Sequence, residues 1–321
     1  MCDGFRADRR DGSPHNSWPS VVLCVPTYRR PEGLRKLLTH VGRLTYPGRL
    51  SVIVVENDAE LRAGEGVATQ MSQGYPLPLT VMVEPRRGQT YAYNRAFLAA
   101  CRASPVPNYV AVLDDDEYPD AAWLTEMVGA ALALDADIVG GPVLPVFDDP
   151  HHWLALSGLY EPPRYRSGPV EMIYGAGSML IRRSVLEDYL DEPFSHAFAF
   201  TGGSDLEFFT RCRRDGRFFG WTDRAFVYET TPPSRTTVGW LIRRNFRKGT
   251  EITRLDRSFN GDPWSLMRRS SRGVALLSFG ILALPFAVLR GREAVVGSLN
   301  RAARGAGRIA AEFNVFHEEY R

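Results

Sequence analysis

The feature that most limits what this chain can fold into is a series of apolar runs that each stop abruptly at polar residues. Val21–Val25 leads into "PTYRR", "LSVIVVEND" spans 50–58, "LTVMVEP" spans 79–85 and "YVAVLDDD" spans 109–116. A continuous apolar run of this length reads as a strand buried on both faces. Segments of helical period lie between and after the runs. Leu34, Leu37, Leu38 and Val41 recur behind Pro31, and "YAYNRAFLAACRAS" and "AAWLTEMVGAALAL" follow the third and fourth runs. Strands alternating with helices predict right-handed βαβ units around a parallel sheet. Such sheets collect ligands at the carboxyl ends of their strands. The polar ends "TYRR", "END" and "DDDE" are therefore expected to converge on one crevice.

The last of these ends is the most demanding. Asp114, Asp115, Asp116 and Glu117 are consecutive, and like charges this close destabilise a fold unless something neutralises them. Four acids behind a buried strand form a concentrated oxygen-ligand site. A hard divalent cation, Mg²⁺ or Mn²⁺, takes one or two carboxylates and completes its shell with water and phosphate oxygens. The bland alternative is a solvated acidic turn. The glycine at the sixth position and the glutamate at the twelfth that an EF-hand needs are missing.

The formal charge of +2 hides an asymmetry: Arg235 to the end carries 16 Lys+Arg against 7 Asp+Glu, the remainder 23 against 30. An acidic body with a basic tail argues against general nucleic-acid binding and suits a basic face turned to lipid phosphates or a pyrophosphate. The cysteines Cys2, Cys24, Cys101 and Cys212 form no CxxC pair, so a reducing compartment is expected. The opening residues lack an apolar core of the kind a secretory signal needs.

After about residue 140 the pattern loosens. "IVGGPVLPVF", "VEMIYGAGSMLIRRSVL" and "RFFGWTDRAFVYET" read as mixed or antiparallel strands, "GGSDLEFFTRCRRDG" as a helix stopped by Gly216, and "TTVGWLIRRNFRKGTEI" as an Arg-rich helix. Residues 273–289, "GVALLSFGILALPFAVL", carry no charge and lie between Arg268, Arg269, Arg272 and Arg290, Arg292. Their length is at the lower edge of what crosses ~30 Å of hydrocarbon. A buried core helix and a true span are alternatives. The arginines at both ends favour an interfacial or re-entrant anchor on an anionic leaflet. "GAGRIA" (305–310) matches a loose dinucleotide pattern but follows no strand, and is set aside.

Six segments occur together and in order: "VVLCVPTYRRPEGLRKLL", "VIVVENDA", "RRGQTYAYNRA", "VAVLDDDEYPDAAWL", "GAGSMLIRR" and "GGSDLEFFTRCRRDG". In this order and spacing they resemble family-2 glycosyltransferases, above all bacterial enzymes of succinoglycan-type exopolysaccharide assembly. The resemblance covers roughly residues 20–250, and the tail ending "HEEYR" is also similar to that subgroup. It implies an α/β GT-A (Rossmann-like) fold, a mixed sheet flanked by helices, with a C-terminal membrane-associating helical segment. The organisation expected is a disordered lead-in over 1–19, a nucleotide-sugar-binding half over 20–135, an acceptor and catalytic half over 136–250, and a basic, hydrophobic membrane-associating region over 251–321. The activity implied is metal-dependent, inverting transfer of a hexose from a nucleotide diphosphate sugar, a UDP-sugar first. The acceptor would be a hydroxyl of a polyprenyl-diphosphate-linked or other glycan at the cytoplasmic face of the inner membrane. Alternatives are a GDP- or dTDP-sugar donor, a soluble acceptor, or a non-catalytic nucleotide-sugar or glycan-binding subunit.

The resemblance also implies roles. Pro26, Thr27 and Tyr28, with Arg30 nearby, would hold the base and ribose, and Glu56 and Asp58 would accept hydrogen bonds from them. The family usually has an aspartate where Glu56 stands. Arg87, Gly88 and Asn94 would close over the nucleotide. Asp114 would contact the ribose or donor sugar, with Asp115 beside it. Asp116, with Asp114, would hold the metal on the diphosphate. The general base would be Asp205, with Glu207 as second choice. Ser204 departs from the usual Glu-Asp pair, and Asp205 has a helix cap as its alternative role. Gly177 and Ser178 would line the sugar and acceptor region. Arg235, Arg243, Arg244 and Arg247 would meet a diphosphate, or form only a solvated helix face.

Overall fold

A computed structural model describes residues 18–162 and 164–315. The first seventeen residues and the terminal "HEEYR" lie outside the described residues. The four apolar runs are strands β1 (Val21–Thr27), β2 (Leu50–Glu56), β3 (Leu79–Val83) and β4 (Tyr109–Val112). β1 pairs in parallel with β2 and β4, and β2 with β3. Every residue of β1 is buried, because helices cover both faces of the sheet. Helix α1 (Pro31–Val41) buries Leu34, Leu37, Leu38 and Val41 on one side. Helix α3 (Gln89–Cys101) buries Tyr93, Ala96, Phe97 and Ala100 on the other. Helices α2 (Ala63–Ser72) and α4 (Trp123–Leu134) complete this half.

The run "YVAVLDDD" is not strand to its end. The backbone turns at the acids and resumes as the short strand β5 (Glu117–Pro119) in a second sheet. "IVGGPVLPVF" likewise divides at Gly141-Pro142 into β6 (Ile138–Gly140) in the main sheet and β7 (Val143–Phe147) in the second. Strand β8 (Gly168–Val170), β9 (Met179–Arg182), the short helix α5 (Arg183–Glu187), helix α6 (Ser204–Arg214), β10 (Phe219–Trp221) and β11 (Val227–Thr231) follow. The main sheet has the order β3-β2-β1-β4-β9-β6-β10-β8 and the small one β5-β11-β7. β9 is antiparallel to both β4 and β6, which makes the main sheet mixed. It runs unbroken through both stretches, 20–135 and 136–250. Cys24, Cys101 and Cys212 are free, buried thiols.

The chain closes with four helices: α7 (Val238–Phe259), α8 (Pro263–Leu282), α9 (Leu284–Arg290) and α10 (Arg292–Glu312). Because α7 is continuous from 238 to 259, a boundary at residue 250 falls inside a helix. No single described helix is long and apolar enough to cross a membrane. α8 and α9 reach that composition only together, and they bend by 48° at their junction. Glycines seat α10 against both neighbours. A methyl group at Gly307 would collide with the Phe246 carbonyl, one at Gly249 with the Arg304 carbonyl, and one at Gly280 would lie 2.5 Å from the Ala302 nitrogen. The "GAGRIA" segment is therefore a packing surface of α10, with Gly305 facing α8 and Gly307 facing α7. Gly307→Val is expected to lower stability by about 1–3 kcal/mol through overpacking, read as an earlier thermal melt. Gly297→Ala, at a position with open space around the added methyl, should leave the melt within experimental error.

Candidate active site

The carboxyl ends of β1, β2 and β4 converge on a pocket lined by Pro26, Thr27, Tyr28, Arg30, Asn57, Arg87 and Gly88, by Asp114 to Glu117, and opposite them by Glu229, Arg235, Trp240, Arg244 and Arg247. The four acids divide their work by alternate burial. Asp115 and Glu117 turn inward and are 5% exposed, whereas Asp114 and Asp116 are partly open to the pocket.

Asp115 ties the first loop to the end of β4. Its carboxylate accepts from Thr27 Oγ1 at 2.9 Å, from the Tyr28 amide at 3.1 Å and from Arg30 Nη1 at 2.8 Å. Burial raises its pKa, and the Arg30 guanidinium works against that rise. Glu117 accepts the Asp114 amide at 2.9 Å and fills the space that a side chain at Gly177 would need. Burial, and then the neighbouring Asp114, push its carboxyl well up. Asp114 accepts the Tyr93 hydroxyl, and burial with the charge of Asp116 pushes it up to about 7. Asp116 is met by Arg30 at 2.9 Å and Arg235 at 3.3 Å, and Arg235 also reaches Glu229 at 3.3 Å. Two arginines thus supply the counter-charge that the acid run requires.

The donor chemistry of this face fits a hard divalent cation, with Asp114 and Asp116 as the carboxylates presented to the pocket. Among the described residues no group of three or more His, Cys, Asp and Glu could hold a metal ion by itself. The protein would share such an ion with a bound diphosphate and water.

Several expected contacts are replaced by others. Glu56 is fully buried and accepts the backbone amides of Asp58, Gly64 and Glu65, so it anchors the start of α2 and does not line the pocket. Asp58 receives Arg29 Nε at 2.5 Å and the amides of Glu60 and Leu61, and Arg29 holds its carboxyl below the usual range. Asn57, between them, lines the pocket instead. Its Nδ2 donates to the carbonyls of Glu84 and Arg86, and its Oδ1 accepts the Gly88 amide at 2.9 Å. Gly88 has φ +135°, and a methyl there would press on Ala199 and Tyr91, so this close approach needs glycine. Asn94 exchanges two hydrogen bonds with the backbone of Phe194 and positions that segment from behind. Ser178, at φ +60°, accepts Trp123 Nε1 in the interior. Arg243 points to solvent, while Arg244 and Arg247 line the pocket.

Of the two base candidates, Glu207 is spent on Arg211, at 2.8 Å and 2.9 Å, and faces a groove beside residues 187–195. Asp205 lies in the first turn of α6 behind Gly203, which is left-handed at φ +88°. Its side chain accepts the Leu206 amide, and burial raises its carboxyl. Glu251 of α7, whose carboxyl burial also raises, stands beside Asp205 and pairs with Arg247 at 3.0 Å.

Comparison with known proteins agrees with this architecture. A family model described as glycosyl transferase family 2 matches residues 22–190, more than half of the chain. The chain is 28% identical over 285 residues to succinoglycan biosynthesis protein ExoM of Rhizobium meliloti (strain 1021), covering 86% of this chain and 88% of that protein. It is 29% identical over 126 residues to glycosyltransferase AglE of Haloferax volcanii, covering 39% and 40%. Among solved structures, the mannosyltransferase PcManGT of Pyrobaculum calidifontis, in complex with GDP-Man and Mn²⁺, superposes with a TM-score of 0.60 at 19% identity over 93% of this chain and 88% of that one. S. aureus TarS residues 1–349 in complex with UDP gives 0.53 at 14%, over 93% of each. At these identities the likeness is one of fold.

The division within the acid run has a measurable consequence. Without nucleotide, Asp115→Ala is expected to cost about 2–4 kcal/mol, since it strands buried donors and Arg30. Asp116→Ala should stay within about 1 kcal/mol. Urea denaturation of the two variants distinguishes them, and equal losses would contradict the division.

Proposed function

This chain belongs to glycosyl transferase family 2, and on that premise we propose that it transfers a hexose from a nucleotide diphosphate sugar to a hydroxyl of a glycan acceptor in cell-surface polysaccharide synthesis. The observation that carries this reading is the pairing of Asp114 and Asp116 with a facing wall of Arg235, Arg244 and Arg247 across one pocket. A diphosphate with a hard cation is the ligand that satisfies both sides at once.

The residues have the following work. Tyr28, Asn57 and the Gly88 turn border the space for base and ribose. Asp114 faces the ribose and donor sugar, and Asp116, with Asp114, would hold Mg²⁺ or Mn²⁺. The bound cation supplies Lewis-acid neutralisation of the departing diphosphate. Arg235, Arg244 and Arg247 take up the remaining charge of the leaving group. Asp205 accepts the proton of the acceptor hydroxyl. Its raised carboxyl suits a general base, since burial brings such groups toward the working pH. Attack opposite the leaving group inverts the anomeric carbon. A UDP-sugar is the donor carried over from the sequence resemblance, and the guanine donor held by the mannosyltransferase makes GDP-sugars the second arm of the test.

Calorimetry with UDP, GDP and dTDP, each with and without Mn²⁺, is expected to show metal-enhanced binding of one nucleotide. Asp116→Ala should remove the enhancement. Asp205→Asn is expected to cut turnover at least about 100-fold while leaving nucleotide affinity unchanged. Wild type and Asp205→Asn equally inert, yet both binding nucleotide, would instead make the protein a nucleotide-sugar-binding subunit.

We propose the bent α8–α9 pair as the membrane-associating element. Phe279 (61% exposed), Leu282 (71%), Phe286 (67%) and Leu289 (86%) project from it, between Arg268 and Arg272 at one end and Arg290 and Arg292 at the other. An apolar face edged with arginine suits the interface of an anionic leaflet, here the cytoplasmic face of the inner membrane. Phe286→Glu with Leu289→Glu should release the protein from phosphatidylglycerol vesicles in a flotation assay. Unchanged flotation would refute the anchor.

A further inference from the structure

The basic wall of the pocket continues past Arg244 into residues to which the nucleotide site gives no work. Lys248 stands one turn along α7 from Arg244, and Arg304 and Arg308 stand one turn apart on α10. The two helices run side by side in the same direction: Arg304 Nη2 donates to Asn245 Oδ1 at 2.7 Å, Gly249 faces Arg304 and Arg308, and Arg257 reaches the Ala311 carbonyl at 2.6 Å. The crowding is electrostatic as well as spatial. The Lys248 ammonium is pushed down to about 8 by burial, then by Arg244 and Arg304. Burial lowers Arg308 too, with Arg272 and Arg304 adding to it and Asp256 opposing.

Counter-charge is short along this row. Glu251, the carboxylate beside Lys248, is paired with Arg247 at 3.0 Å. Among the described residues no carboxylate stands within ion-pair distance of Lys248, Arg304 or Arg308. Arg304 Nε and Arg308 Nε and Nη1 are buried without an acceptor. Cations that the fold gathers and leaves unpaired are stabilised by an anion, just as the acid run is by a cation.

The surroundings select the kind of anion. One end of the row opens on the pocket through Arg244. The flank is the exposed apolar pair α8–α9: Arg301, one turn before Arg304, lies over the Phe279 ring at 5.7 Å, and Arg272 of α8 stands near Arg308. We propose that Lys248, Arg304 and Arg308 form a second anion site that holds the phosphate or diphosphate head of a hydrocarbon-chain acceptor, with the chain lying along the α8–α9 face. This rests on the proposed transferase function and on the lipid-linked form of the glycan acceptor that the sequence resemblance implies. It adds residues from α10 and a head-group station separate from that of the nucleotide.

Farnesyl diphosphate, titrated calorimetrically into full-length protein saturated with its nucleotide and Mn²⁺, tests the site. Binding is expected in the wild type, weakened about tenfold in Lys248→Met and in Arg304→Gln and retained in Lys248→Arg, with nucleotide affinity the same in all four. Farnesol should not bind, and inorganic pyrophosphate should bind more weakly with the same dependence on the variants. Farnesyl diphosphate binding that ignores both neutral variants, or that nucleotide displaces, overturns the proposal. So does a loss confined to phosphatidylglycerol vesicles, which would give the row to bulk lipid head groups. Failure of the wild type to bind any nucleotide would instead strike the donor reading, because the farnesyl diphosphate arm is scored separately.

Discussion

The carboxylate of Asp115 is the constraint on which the site depends. It sits at the end of β4 and takes three hydrogen bonds from the loop that leaves β1, so the two central strands cannot splay at their carboxyl ends. The same interaction aims Arg30 across the pocket mouth, where the guanidinium reaches Asp116 as well. Arg29 beside it is held in a left-handed conformation, φ +55°, by the buried carboxylate of Asp58. The first loop is therefore fixed from two strands at once, which leaves Tyr28 and Thr27 set before any ligand arrives. Preorganisation of this kind removes part of the ordering cost of binding.

The framework was legible in the sequence because burial on both faces leaves an unmistakable run of apolar residues. β1 to β4 follow from that, and α1, α3 and α4 from the helical period beside them, whereas α2 (Ala63–Ser72) was not among the expected elements. The later strands are three to five residues long and four of the six carry Gly or Pro, so their text could not say which sheet each would join. The split of "IVGGPVLPVF" between two sheets is the clearest case. At the site, acidity alone does not decide which residue faces the pocket. Glu56 and Asp58 are acids, yet residues two apart share a face of a strand and the residue between them takes the other. Asn57 is the one that meets the pocket, and period-two reading of "END" was the available signal. Among the four acids it is the turn of the backbone, and not a strand period, that sets Asp114 and Asp116 apart from Asp115 and Glu117.

The basic tail had no such code. Its arginines are spread over α7, α8 and α10, and only the glycine-seated contact between helices brings Arg304 beside Asn245 and Lys248. A sequence pattern records spacing within one helix, and neighbours on a second helix remain invisible until the crossing is known. The asymmetry of charge between body and tail was readable in bulk, but its division into a pocket wall and a separate row was not.

The glycine seam between α7 and α10 also bears on how the protein comes into being. α7 carries Arg244 and Arg247, but its inner face at Gly249 is covered only by residues more than fifty positions later in the chain. A nascent polypeptide with the main sheet already folded would hold this helix through Trp240 stacked on Tyr160 and through Arg254 on Thr201 and the Ala197 carbonyl, but the side that faces α10 would stay bare until synthesis had passed Glu312. Domains fold as units once their last contacts become available. Incomplete translation products would thus display the acids, the first loop and the sheet, with the Gly249 side of the arginine-bearing helix still uncovered.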